Sequence, residues 1–180
     1  AIDWGLISVA ACLDTVLAGK LFKIVHSLTL GADGMVGMFF EDFREGMVLE
    51  SSGRTITVAD IVNFAGVSGD FNPIHMDEEY ARKTLFGRRI AHGVLTLAVM
   101  TGLWDSMGFL RGTIIAFYGI DRLRFTKPVY PGDTIRVRIT VVDRKEKEKG
   151  GVVTLRNEVL NQNGEVVMVC DAKLLMKKKS

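Results

Sequence analysis

Asp70 and His75 stand five positions apart in the run Gly69-Asp70-Phe71-Asn72-Pro73-Ile74-His75. A carboxylate and an imidazole that converge on one water form a proton-transfer pair suited to neutral pH. Asn72-Pro73 lies between them, and this pair favours a turn and disfavours helix. The segment is therefore expected to fold back on itself and aim both side chains at one point. Taken singly, each has a plainer reading, Asp70 as an Asx-turn cap and His75 as a satisfied loop histidine.

The surrounding chain supplies the elements that must position this pair. Short apolar stretches around Val48 and Ile56 to Val58 lead into a helical segment from about Asp60 to Val67, with Thr57 or Asp60 as its cap. After the motif, Asp77 to Lys83 carries acids in its first turn and bases in its last, as a short helix would, and Gly87 ends it. Gly93 to Met107 has apolar residues on nearly every face, which predicts a helix buried on nearly every side. Beyond Gly112 the period changes to two. Ile135, Val137, Ile139 and Val141 alternate with Arg136, Arg138 and Thr140, the pattern of a half-buried strand. Pro131-Gly132-Asp133 reads as the turn before it, Glu146 to Gly151 as a charged hairpin loop, and Asn163-Gly164 as a tight turn. One buried helix followed by long antiparallel strands predicts an α+β fold, with a curved sheet wrapped around the helix.

Composition narrows the function classes. The 180 residues suit one domain with a core that needs no disulfide or metal staple, and 48% hydrophobic content excludes disorder. With 23 basic and 21 acidic residues the formal charge is +2, so nothing points to nucleic acid. The terminal Lys177-Lys178-Lys179 reads as a solvated tail. Cys12 and Cys170 are far apart and lack metal-ligand spacing, which suits free thiols in a reducing cytoplasm.

The first thirty-odd residues differ from the rest. From Leu6 to Leu30 the polar positions recur every three or four residues, the mark of an amphipathic helix. Asp14, Lys20 and Lys23 interrupt it, so it lacks the roughly 20 apolar residues of a membrane span. Asp3 is the wrong sign for a signal peptide, and the segment has no Arg for an organelle-targeting one. Gly31-Ala32-Asp33-Gly34 reads as a linker, dividing residues 1–37, a helical leader, from residues 38–180. A docking helix, a remnant of processing and sequence upstream of the functional domain all remain open for the leader. A packed or partner-covered helix is the reading preferred.

Phe64, the Gly69 to His75 run and Ala81 together resemble the hydratase-2 signature of the MaoC-like (R)-specific enoyl-CoA hydratases. Ile90-Ala91-His92-Gly93-Val94 is similar to that family's second block. Phe125-Thr126-Lys127-Pro128-Val129 with Pro131-Gly132-Asp133 is similar to its late strand-turn segment. The resemblance runs from about Phe39 to Leu175. It implies the hotdog fold, a bent antiparallel sheet around a long central helix, paired as a homodimer or larger homo-oligomer.

The same resemblance assigns roles. Asp70 and His75 match the catalytic dyad, which would activate water for reversible addition to the double bond of an enoyl thioester, carried on CoA or acyl carrier protein. Gly93 matches the position whose N–H would stabilise the enolate at the thioester oxygen; its plainer reading is a glycine chosen for close packing. His92 is given a structural role. Thr101 matches a small hydroxyl residue that hydrogen-bonds the catalytic carboxylate, although a helical Thr also commonly bonds its own backbone. Asn72 reads as a brace of the turn beside the substrate. Arg88, Arg89 and Lys127 are candidates for the carrier phosphates. Asp70, His75, His92 and Asp77 lack zinc-like spacing, and neither a metal nor another cofactor is implied. The competing functions are a hotdog thioesterase, in which the same water attacks the carbonyl, and a non-catalytic subunit. The intact Asp-x-Asn-Pro-x-His run favours the hydratase over both.

Overall fold

A computed structural model describes residues 36–179. The leader helix read from Leu6 to Leu30 and the linker at Gly31 to Gly34 lie outside them. Six antiparallel strands and a long helix dominate the described chain, the α+β arrangement expected from its hydrophobic periods.

The strands are β1 (Val48–Glu50), β2 (Arg54–Thr55), β3 (Ile114–Phe125), β4 (Thr134–Lys147), β5 (Gly150–Leu160) and β6 (Val166–Met176). The sheet runs in the order β1-β4-β5-β6-β3, with β2 also paired to β4. In β4 the alternation predicted from sequence places Ile135, Val137, Ile139 and Val141 on the core face, all buried. The charged stretch near Glu146 behaves differently from expectation. Strand pairing continues to Lys147 opposite Gly150, so the hairpin closes over Glu148 and Lys149 alone. Backbone pairing overrides local charge there, because both strands keep their ladder bonds to the end.

Helix α1 (Val58–Ser68) starts on Thr57, whose hydroxyl accepts from the Asp60 N–H while the Asp60 carboxylate accepts from the Thr57 N–H. This reciprocal cap joins the two candidate cap residues into one device. Gly69, at φ +77°, closes the helix in the left-handed conformation that glycine adopts without strain. Two single turns follow, α2 (Pro73–Met76) and α3 (Glu78–Ala81). The motif is therefore not helix-free: Asn72 caps α2 by accepting from the Ile74 N–H at 3.1 Å, with Pro73 at the first helical position. Proline is tolerated there because the N–H it lacks has no intrahelical partner anyway.

Helix α4 (Gly93–Met107) crosses the sheet. Leu95, Val99, Met100, Leu103 and Trp104 are buried against the core face of β4 to β6. Trp104 donates its indole N–H to Asn157 Oδ1 on β5 at 3.0 Å, a buried polar latch between helix and sheet. The expectation of burial on nearly every side fails: Val94, Ala98 and Gly102 are exposed along the opposite stripe. One sheet can cover only one side of a helix. Strand β3, at the sheet edge, likewise exposes Ile115, Phe117 and Tyr118. Among the described residues, no helix is long and apolar enough to cross a membrane.

Candidate active site

Three stretches distant in sequence meet at the start of α4. The α1 to α2 loop brings Asp70, α2 brings His75, and the segment entering α4 brings His92 and Gly93. That segment is pinned on both sides: the Ile90 N–H donates to Ile74 O at 3.3 Å, and the Ala91 N–H donates to Val129 O at 2.7 Å.

Asp70 uses one carboxylate oxygen locally, Oδ1 accepting from the Asn72 N–H at 3.2 Å in an Asx-type turn. The residue is otherwise exposed. His75 is half-buried and its Nδ1 lies 2.8 Å from Ile90 O. A carbonyl can only accept, so Nδ1 carries the hydrogen and Nε2 of the neutral ring holds a free lone pair. Burial pushes the His75 pKa below its ordinary value; the Ile90 bond opposes this, His92 adds to it and Asp70 opposes it. The ring is therefore a neutral base at pH 7.

His92 is buried behind this pair. Its Nε2 lies 2.9 Å from the backbone carbonyl of Asp70, which makes Nε2 the donor. The His92 ring sits 3.8 Å from that of His75, centroid to centroid, with 32° between planes, and Phe64 packs at 5.0 Å. Asp70, His75 and His92 each offer a ligand-type atom within 4.8 Å of the others. An ion would have to lie in the plane of each imidazole, about 2.0–2.1 Å from its nitrogen. His75 Nδ1 faces the Ile90 carbonyl and His92 Nε2 the Asp70 carbonyl, so one nitrogen of each ring is left for any further partner.

A cleft of about 310 Å3 opens beside His75. Gly93 and Thr96, at the start of α4, form part of its wall, and Phe86, Phe125 and Val167 give it an apolar lining. The first N–H groups of any α-helix lack intrahelical acceptors and carry the positive end of its dipole. A carbonyl oxygen placed there would gain a donor as it became an oxyanion. Gly93 also has the packing reason read from sequence. A Cβ at that position would stand 2.9 Å from Phe125 Cε2.

The family model described as a MaoC like domain matches residues 42–163, which include Asp70, His75, His92, Gly93 and Thr96. The chain belongs to the MaoC-like family. A curated (R)-specific enoyl-CoA hydratase from Rhodospirillum rubrum is 35% identical over 147 residues, covering 82% of this chain and 97% of that protein. Protein MaoC of Klebsiella aerogenes is 45% identical over 102 residues, or 57% of this chain, and those residues span only 30% of that longer protein. A solved monoamine oxidase regulatory protein from Archaeoglobus fulgius superposes with a TM-score of 0.76 at 40% identity, covering 81% of this chain and 98% of its own. The fold is the hotdog, shared with a double-hotdog protein of Mycobacterium tuberculosis at TM-score 0.70 and 20% identity, over 79% of this chain and 45% of that one.

Within this MaoC-like fold the remaining site candidates scatter. Thr101 donates its hydroxyl to Ala98 O at 2.7 Å, within its own helix. Arg89 is paired with Glu78 at 3.0 Å and Lys127 with Glu165, although Lys127 also lines the cleft. The Arg88 guanidinium lies over the Tyr130 ring at 4.1 Å, beside a second cleft of about 250 Å3 that Lys127 and Pro128 also border. Thr96 was not singled out from the sequence. Its spacing of three from Gly93, one helical turn, is the signal that places both on the cleft side of the MaoC-like helix.

Proposed function

We propose that this chain catalyses the reversible hydration of trans-2-enoyl thioesters to (R)-3-hydroxyacyl thioesters. The observation that carries the reading is the free Nε2 of a neutral His75, set near the Asp70 carboxylate at the rim of a cleft that also contains the Gly93 end of α4. Water held by the Asp70 carboxylate gives one proton to His75 Nε2 as its oxygen bonds to the β-carbon. The electron pair of the double bond moves toward the thioester oxygen, where the Gly93 N–H stabilises it. The imidazolium then returns the same proton to the α-carbon. Oxygen and hydrogen thus enter on one face, as syn addition requires, and the reverse sequence dehydrates the product.

The names of two relatives point the same way, an (R)-specific enoyl-CoA hydratase and a 3-hydroxybutyryl-CoA dehydratase from Methylorubrum extorquens that is 36% identical over 106 residues. The apolar cleft suits an acyl chain, and Arg88 and Lys127 suit the phosphates of a CoA or acyl carrier protein arm. The exposed edge of β3 supports a homodimer, since an edge unpaired among the described residues, with Ile115, Phe117 and Tyr118 exposed, is a ready site for strand or face pairing. A cytoplasmic setting agrees with acyl-thioester chemistry and with Cys170, which is buried and without a disulfide partner among the described residues.

Incubation with crotonyl-CoA tests this. Loss of the enoyl absorbance, with formation of product oxidised by an (R)-specific 3-hydroxyacyl dehydrogenase, is the expected result. Release of free CoA thiol from crotonyl-CoA and butyryl-CoA alike would instead identify a thioesterase. No change in either would mark a binding subunit.

A further inference from the structure

We propose that His92 is a positioning residue that sets the geometry of the Asp70–His75 pair, an inference that rests on the hydratase reading above. Its imidazole meets both members at once. Nε2–H donates to the backbone carbonyl of Asp70 at 2.9 Å, and the ring face lies 3.8 Å from the His75 ring. His92 directly precedes Gly93, so one side chain couples the acid, the base and the start of α4. Without it, the α1 to α2 loop holding Asp70 would be tied to α4 through no other hydrogen bond of the Asp70 side chain or backbone carbonyl among those of the described residues.

The opposite nitrogen argues that this arrangement serves position. Among the described residues, His92 Nδ1 is buried with no hydrogen-bond partner. With Nε2 as donor, Nδ1 is an acceptor lone pair taken out of water and left unpaired, an unfavourable placement. An apolar ring of similar size would fill the same space against Phe64 and His75 without that defect. Packing alone therefore does not call for histidine. The donor at Nε2 does.

Two substitutions separate the donor from the ring. His92→Gln places an amide N–H where Nε2 stood and removes the ring. His92→Phe keeps a ring against His75 and removes the donor. Displacement of a reacting group by about 1 Å costs on the order of a hundredfold in rate. His92→Phe is expected to lower kcat for crotonyl-CoA hydration by more than about thirtyfold while KM stays within about threefold, and His92→Gln to recover at least about tenfold of that loss. Melting temperatures of both should remain close to that of the unaltered protein. Should His92→Phe not fold, His92→Asn takes its place, since its shorter amide does not reach the Asp70 carbonyl.

Wild-type kcat in the donor-less variant, or equal loss in both variants, overturns the proposal. An unaltered protein that leaves crotonyl-CoA untouched would overturn the hydratase reading instead. The positioning claim is then decided by the Asp70 carbonyl 13C shift, expected to move in His92→Phe and to stay in His92→Gln. The reverse pattern, or no movement in either, refutes it.

Discussion

The rings of His75 and His92 lie face to face, 3.8 Å between centroids and 32° between planes. Each gives one nitrogen to a backbone carbonyl, His75 to Ile90 and His92 to Asp70. Burial, with the His92 ring adding to it, holds the His75 pKa down, so a proton taken up by His75 is readily given back, as the proposed reversible hydration needs.

Removing either member of the dyad should cost catalysis and little else. Asp70→Asn or His75→Ala is expected to raise the barrier for crotonyl-CoA hydration by about 2–4 kcal/mol, the scale of a lost acid-base group. Asp70 is exposed and His75 only half-buried, so circular dichroism and melting temperature should barely change. Near wild-type turnover in either variant would remove them from the mechanism.

The pH profile follows from His75. Burial, the largest influence, holds its pKa below the ordinary histidine value of about 6.5. With the neutral ring as the proposed base, kcat/KM should stay level through neutral pH and fall as pH drops through the lowered value. Stability follows the same sign. The unfolded chain takes up this proton first as pH falls, so the neutral ring's contribution is present above about 6.5 and is lost on acidification toward the folded pKa. An acid limb centred above 6.5 would contradict the assignment.

At Gly93 a single methyl group is diagnostic. The added Cβ would meet Phe125 Cε2 at 2.9 Å, and Phe125, which is half-exposed, lines the cleft. Gly93→Ala should raise KM and lower kcat while costing about 1–3 kcal/mol of stability or less, the usual range for mild overpacking. Adding Phe125→Leu should restore KM. If the double variant regains full kcat as well, crowding alone explains the glycine.

Asn157→Ala tests the latch between helix and sheet. It leaves the Trp104 indole N–H buried without its acceptor and removes the Asn157 donation to Leu155 O. The expected loss is about 1–3 kcal/mol, measured by urea unfolding, with turnover per folded molecule unchanged.

Assembly is read by light scattering. A dimer at micromolar concentration is expected, and Phe117→Arg on the exposed edge strand should weaken it, because burying an unpaired charge is costly. A stable, active monomer of the unaltered chain would overturn this.

What the sequence determined by itself was local. A cap at Thr57 or Asp60, the alternation of Ile135 to Val141 and the span of α4 each depend on neighbours within a few residues. Periodicity and capping register these directly. The Asp70 to His75 run was legible for the same reason, and its match to a known signature suggested the function proposed for it.

Tertiary structure decided what depends on separate segments meeting. Nothing near His92 in sequence announces that its ring stacks on His75 or that Nε2 reaches the Asp70 carbonyl, 22 positions away. Glu78 and Glu165 engage Arg89 and Lys127 across 11 and 38 positions, which spacing could not foretell. The apolar pattern of α4 declares how much of the helix avoids water, but a single sheet can bury only one face. The exposed stripe at Val94, Ala98 and Gly102 follows from that geometry, because hydrophobicity is a property of residues and burial is a property of their packed neighbours.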